Sequence, residues 1–274
     1  MLGEPLEGTA VERTARWLLI QVQEGWAPMV ADTASLSGPV GAHVEAGLAA
    51  AGGARLQLIR RPGVASGVTV IAVNAGGIKN SAYKLVLERL PDLLTLDIAA
   101  LFAGGEGSEQ VEGPLVLVCS HGVRDRCCAV EGIPVFNALD EALGGRVWQT
   151  THLGGHRFAA TLVVLPVGLQ FGRVTPDEVP ALLQGLANGK LYRLDRFRGR
   201  VEASREAQVA EAYVRAKRDL KALHDVQPVG SALRIQGRRV RFKVAGTPHE
   251  VPRPYSCGDS SLKTPKVYSV SVAD

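Results

Sequence analysis

The stretch Leu115-Val116-Leu117-Val118-Cys119-Ser120-His121-Gly122-Val123-Arg124-Asp125-Arg126-Cys127-Cys128 decides how this chain is read. It opens as a buried-strand run and turns at Cys119 into a loop dense in thiols, imidazole and charge. Gly132 to Leu143 follows with apolar residues at 133, 135, 136, 139 and 143, the spacing of one helical face. Gly144-Gly145 closes that segment, as glycine does beyond a helix C-terminus. Val147 to Thr151 and Ala159 to Leu165 read as strands, and Leu169 to Val174 returns across a Pro-Val-Gly turn, antiparallel. Thr175-Pro176-Asp177-Glu178 is then a helix start: a Thr cap, Pro at the first helical position, and acids facing the positive end of the dipole.

A β-α-β-β-β-α order with a cysteine loop after the first strand is the thioredoxin-like pattern, so the fold class expected is α/β. Upstream, Arg16 to Val22 is an apolar strand, Gly41 to Ala51 is helical, and Arg55 to Arg60 and Val68 to Val73 are strands. Residues 81–101 add Leu-rich segments broken at Pro91, and Gly104 to Gly107 reads as a linker. The expected organisation is therefore a degenerate, cysteine-free thioredoxin-like half over 10–105 and a second thioredoxin-like unit over 111–195. A helical and β extension over 200–274 completes it. In that extension Ala203 to His224 is one long helical pattern, Leu233 to Val244 one alternating strand, and Val267 to Val272 a last strand.

The 274 residues are about twice the ~150 of a typical domain. With 46% apolar and 21% charged residues the chain can bury a core, and with aromatics at 5% that core is aliphatic. A net charge of +4 is too small and too evenly spread for a nucleic-acid footprint. Met1-Leu2-Gly3-Glu4-Pro5 has an early acid and no apolar h-region, and runs such as Thr161 to Gly168 fall far short of a membrane span. Three of the four cysteines fall within ten residues, two of them adjacent. That is a poor disulfide framework and a better metal or redox cluster. A cytoplasmic protein with no membrane and no nucleic-acid partner is the expectation.

Cys119, Cys127 and Cys128 precede His152-Leu153-Gly154-Gly155-His156, whose glycines favour a tight turn over a helix. Thiolates and imidazoles are the ligands of zinc and of iron–sulfur chemistry. The eight-residue gap between Cys119 and Cys128 departs from the short C-x-x-C spacing of structural zinc, while the His pair suits it, so both metals stay open at this stage.

These residues resemble the sucrase/ferredoxin-like family, relatives of the thioredoxin-like [2Fe–2S] ferredoxins. The carrying stretches are Cys119 through Cys128 and His152-Leu-Gly-Gly-His156-Arg157-Phe-Ala, with Arg16-Trp17-Leu18-Leu19-Ile20 and Arg60-Arg61-Pro62-Gly63 agreeing. The resemblance reaches to about residue 200 and implies a [2Fe–2S] cluster held by Cys119 and Cys128 on one iron and His152 and His156 on the other. Cys127 is the alternative thiol ligand. It further implies electron transfer or redox sensing, a role in which a non-enzymatic electron-transfer protein is favoured over an enzyme without the sequence deciding between them. The ring nitrogens that bind no iron can gain or lose protons, so electron uptake is expected to be coupled to proton uptake. Arg124, Arg126 and Arg157 are candidates to face the cluster sulfurs or an anionic redox partner, and Asp125 to orient a ligand histidine.

Two other classes compete. A thioredoxin-type thiol oxidoreductase is weakened because no C-x-x-C follows the first strand in either half. A zinc-stabilised binding module would use the basic strand Arg234 to Lys243 as its contact surface. No acid pair near the cysteines and histidines suits glycoside hydrolysis, and no G-x-G-x-x-G follows a strand. Cys257 is expected to be a packed or free thiol. The redox partner and the oligomeric state leave no mark in the sequence.

Overall fold

The computed structural model describes residues 4–63, 66–77, 80–249, 252–254 and 262–273. The first half runs β1 (Arg16–Gln21), α1 (Gly38–Ala50), β2 (Arg55–Arg60), β3 (Val68–Asn74), β4 (Ser81–Leu87), α2 (Ile98–Leu101) and β5 (Glu109–Gln110). The second runs β6 (Leu115–Cys119), α3 (Arg126–Leu143), β7 (Val147–Thr150), β8 (Leu162–Leu165), β9 (Leu169–Phe171), α4 (Val179–Ala187) and β10 (Phe197–Arg200). All ten strands form one sheet in the order β10-β9-β8-β6-β7-β2-β1-β3-β4-β5.

That order is a palindrome. In each half the first strand pairs in parallel with the second, antiparallel with the third, and the third antiparallel with the fourth. A short fifth strand then pairs antiparallel with the fourth. This is the thioredoxin-like α/β arrangement expected of both halves, the cysteine-free first half included. The halves meet edge to edge where β2 and β7 run antiparallel, Ile59 opposite Thr150 and Arg60 opposite Gln149.

Alternation along the strands sends side chains to two faces. Leu18, Ile20, Leu58, Val70 and Ala72 lie in one core with Val44 of α1 and Ile98 and Leu101 of α2. Val116, Val118, Leu162 and Val164 lie with Val135, Phe136 and Leu139 of α3 and Val179 and Leu182 of α4. The opposite set, including Trp17, Leu19, Ile59, Ile71, Leu115, Leu117 and Val163, is a single cluster that crosses the junction.

Three local expectations change. The second-half helix starts at Arg126, six residues before Gly132, because the Asp125 side chain accepts the Cys127 N–H and caps it. The alternating run Leu233 to Val244 is two strands, β12 and β13, in an appended sheet of β11 (Val226–Val229), β12 (Ala232–Ile235), β13 (Arg238–Pro248) and β16 (Lys266–Val272). Gln236 and Gly237 turn between them, both with positive φ (45° and 86°), the conformation of a two-residue hairpin. A separate pair of short strands, β14 (Arg253–Pro254) and β15 (Leu262–Lys263), lies between β13 and β16 in the chain. The long helical pattern after Ala203 is α5 (Arg205–Arg218), capped by Ser204 and ended by Asp219 in the left-handed region. Its buried Glu211 receives both Arg200 and Arg215, which ties the helix to β10. Among the described residues, no helix is long and apolar enough to cross a membrane.

Candidate metal centre

Cys119 is the last residue of β6, Cys128 lies in the first turn of α3, and His152 follows β7 by two residues. β6 and β7 are parallel and adjacent, so both release their chains on the same edge of the sheet. The donor atoms of Cys119, Cys128 and His152 lie within 4.8 Å of one another, a group able to hold a metal ion. Cys128 Sγ is 3.7 Å from His152 Nδ1, and both thiols are buried and free. His156 is placed beside them: its ring stacks on that of His152 with centroids 5.2 Å apart at 29°.

The helix and the strand meet closely for a specific reason. A Cβ on Gly132, one turn after Cys128, would stand 2.0 Å from the Cys119 carbonyl oxygen. Glycine there lets α3 approach the end of β6 and sets the two sulfurs side by side. Between the histidines, Gly154 and Gly155 both have positive φ (85° and 68°), the tight turn expected of that spacing.

The electrostatics centre on sulfur. A hydrogen bond from Cys128, together with His152, holds the Cys119 thiol well below the ordinary thiol range. Cys128, as the donor of that bond and buried, is pushed up. The two thiols therefore differ, Cys119 inclined to lose its proton and Cys128 to keep it. Cys128 sits at the positive end of the α3 dipole, where a second thiolate is favoured once a metal is present.

His121, in the loop after β6, is buried and positions a candidate ligand. Its Nδ1 accepts the His152 backbone N–H at 3.2 Å, and its Nε2 faces the Ala27 carbonyl at 3.0 Å. An N–H can only donate and a carbonyl only accept, so the ring is the neutral Nε2–H tautomer. Burial lowers its pKa in keeping with that. Ala27 belongs to the first half, which thus helps to build the site.

Of the supporting positions suggested by sequence, Asp125 is buried, with Oδ2 3.8 Å from His156 Nδ1. Arg157 pairs with Glu4 at 2.8 Å, Arg124 reaches Met29 Sδ at 3.2 Å, and Arg126 is exposed. The buried positive charge comes instead from two arginines not singled out by sequence. Arg55, at the start of β2, donates to the His152 carbonyl at 3.1 Å. Arg198, on β10 and 1% exposed, donates to the Gly154 carbonyl at 3.0 Å. Cys127 is half-buried and disulfide-bonded, so its sulfur is committed elsewhere, contrary to the expectation that these cysteines form no disulfide. Cys257 lies outside the described residues.

Comparison with known proteins follows this geometry. The stretch that matches altered inheritance of mitochondria protein 32 of Meyerozyma guilliermondii is 29% identical over 106 residues, 35% of this chain and 38% of that protein. The chain thus spans well under half the length of that relative. No solved structure matches. The profile of the sucrase/ferredoxin-like family covers residues 9–199, which takes in both halves of the ten-stranded sheet, the cysteine pair and the histidine turn. On that match the chain belongs to the sucrase/ferredoxin-like family.

Proposed function

We propose that Cys119, Cys128, His152 and His156 hold a [2Fe–2S] cluster, and that the protein serves electron transfer or redox sensing with a partner protein. The observation that carries this reading is the meeting of two buried free thiols with one imidazole at one point, a second imidazole stacked beside it. Sulfur and imidazole are the donors such a cluster takes, so the residues present fit the group. When bound, the cluster supplies a one-electron couple, at a higher potential than an all-cysteine cluster because two neutral imidazoles replace two thiolates.

The chain's own part is to hold ligands and protons. His121 fixes the backbone of His152 through the neutral tautomer it is locked into. Asp125 faces Nδ1 of His156, which makes that nitrogen the place for a proton to be held as negative charge builds up nearby. The reduction potential is therefore expected to fall as pH rises between roughly 6 and 10, around and above the range where imidazoles titrate. A flat profile would mean that electron and proton are not coupled.

A single tetrahedral zinc is the second reading, favoured by the 4.8 Å within which the three nearest donors fall. Visible absorption of protein purified without oxygen, with iron and acid-labile sulfide assayed on the same sample, separates the two. The proposal expects a coloured protein with about two irons and two sulfides per chain. A colourless protein carrying one zinc would replace it with the structural reading.

A further inference from the structure

Two arginine side chains are drawn in against the histidine turn, with no carboxylate at salt-bridge distance among the described residues. Arg198 is 1% exposed. Its Nε donates to Thr9 Oγ1 at 3.1 Å, and its terminal nitrogens to the carbonyls of Thr9 and Gly154. Arg55 is half-buried. It donates to the His152 carbonyl, with its guanidinium over the Trp17 ring. All these partners are neutral. Among the described residues, no Asp or Glu oxygen comes within salt-bridge distance of either arginine.

A buried guanidinium without a counter-charge is unfavourable, and ordinary buried cations are paired. The other buried arginines here obey that rule: Arg200 and Arg215 share Glu211. Arg55 and Arg198 differ in what they face. Both donate instead to backbone carbonyls of the histidine turn, Arg55 to that of His152 and Arg198 to that of Gly154. Arg198 also sets the histidine turn, since a Cβ on Gly155 would stand within contact distance of its guanidinium.

We propose that Arg55 and Arg198 are the counter-cations of this centre, held against its histidine turn, and that they raise its reduction potential by stabilising the electron it takes up. The inference rests on the iron–sulfur reading above. In the step concerned the centre gains one electron, supplied by dithionite in the test, and no bond forms or breaks. Two neutral imidazoles leave the oxidised centre with little net charge, and reduction adds one negative charge. Fixed positive charge in a low-dielectric setting favours the reduced form over the oxidised one. Arg198 has a second task, holding the Gly154 carbonyl between the two histidines. Both are positioning and tuning residues, with no direct role as ligands.

The test is a redox titration of Arg55→Met, Arg55→Lys, Arg198→Met and Arg198→Lys beside the native protein, with iron and sulfide assayed on every sample. The expected result is a more negative midpoint potential in both Met variants, shifts that add in the double variant, and recovery of most of the shift in the Lys variants. Met variants that keep iron and sulfide and titrate at the native potential would overturn the inference. So would Lys variants that fall as far as Met. Should Arg198→Met fail to fold, the Arg55 pair decides, because that side chain lies nearer the surface. A native protein without an iron–sulfur centre would refute the underlying reading, which is a different outcome from a native centre with unmoved variants.

Discussion

The bond from the His152 backbone to Nδ1 of His121 places a neutral imidazole directly behind a candidate ligand. Removing such a support costs about 10–100-fold in metal affinity at comparable sites. His121→Ala is therefore expected to lose metal to a chelator correspondingly faster than the native protein, and equal retention would remove His121 from the site. Glu202 offers a prediction on stability. Burial pushes its carboxyl up to about 7, partly offset by Arg200, and one of its oxygens has no hydrogen-bond partner. A carboxyl raised in the folded state contributes stability at low pH and loses it as pH climbs through the folded value. Glu202 should thus weaken the fold as pH rises from about 4.5 to about 7, by at most about 3 kcal/mol. Glu202→Gln should flatten that slope and unfold at higher urea than the native protein at pH 8; an unchanged slope would contradict it. At this scale the sequence exposed the candidate ligands and hid their supports. Cys119, Cys128, His152 and His156 stand out by type and spacing. Arg55 and Arg198 sit among other arginines, and nothing in a sequence tells a buried guanidinium from a solvated one.

Helix α3 does more for the site than its apolar face predicts. The face from Ile133 to Leu143 was legible from its period, but the first turn, Arg126-Cys127-Cys128, has no periodic signal and is made helical by the Asp125 cap. Asp125→Ala should cost about 1 kcal/mol of stability. Asp125→Asn, which keeps an acceptor at the cap, should cost much less, and urea denaturation of the two distinguishes them. Gly132 is the stricter test. With the Cys119 carbonyl 2.0 Å from any added Cβ, Gly132→Ala must push α3 off β6 and separate the sulfurs. It should lose both stability and metal, whereas retention of full metal content would show that the close approach is not what sets the cysteine pair. The alternating run after Leu233 conceals its hairpin for a related reason. A two-residue turn preserves the strand alternation on either side, and only the Gln236-Gly237 dipeptide marks it.

Across the whole molecule the strand order is symmetric about the β2–β7 junction, and one apolar cluster runs through that junction from Trp17 to Val163. The repeated strand–helix–strand–strand plan was legible in both halves, because apolar runs such as Arg55 to Arg60, Val68 to Val73 and Ala159 to Leu165 stop at or just before Pro or Asn. That the halves share one sheet was not, since edge pairing depends on shape and leaves no local pattern. The candidate metal centre is built across the joint: Ala27 and Arg55 reach it from the first half. Leu117→Ala, in the shared cluster, should cost about 2–5 kcal/mol. It should lower amide-exchange protection in β1 and β3 as much as in β6 and β8; loss confined to the second half would mean that the halves unfold separately.

The central claim is that two imidazoles and two thiolates of this chain ligate one cluster. Pulsed paramagnetic resonance on the dithionite-reduced protein tests it most directly, since nitrogen bound to the reduced centre couples strongly to the unpaired spin. Two strong nitrogen couplings are expected in the native protein, and the coupling of one imidazole should be absent from a His156→Cys variant that still holds iron and sulfide. A reduced cluster with no strong nitrogen coupling would contradict the account.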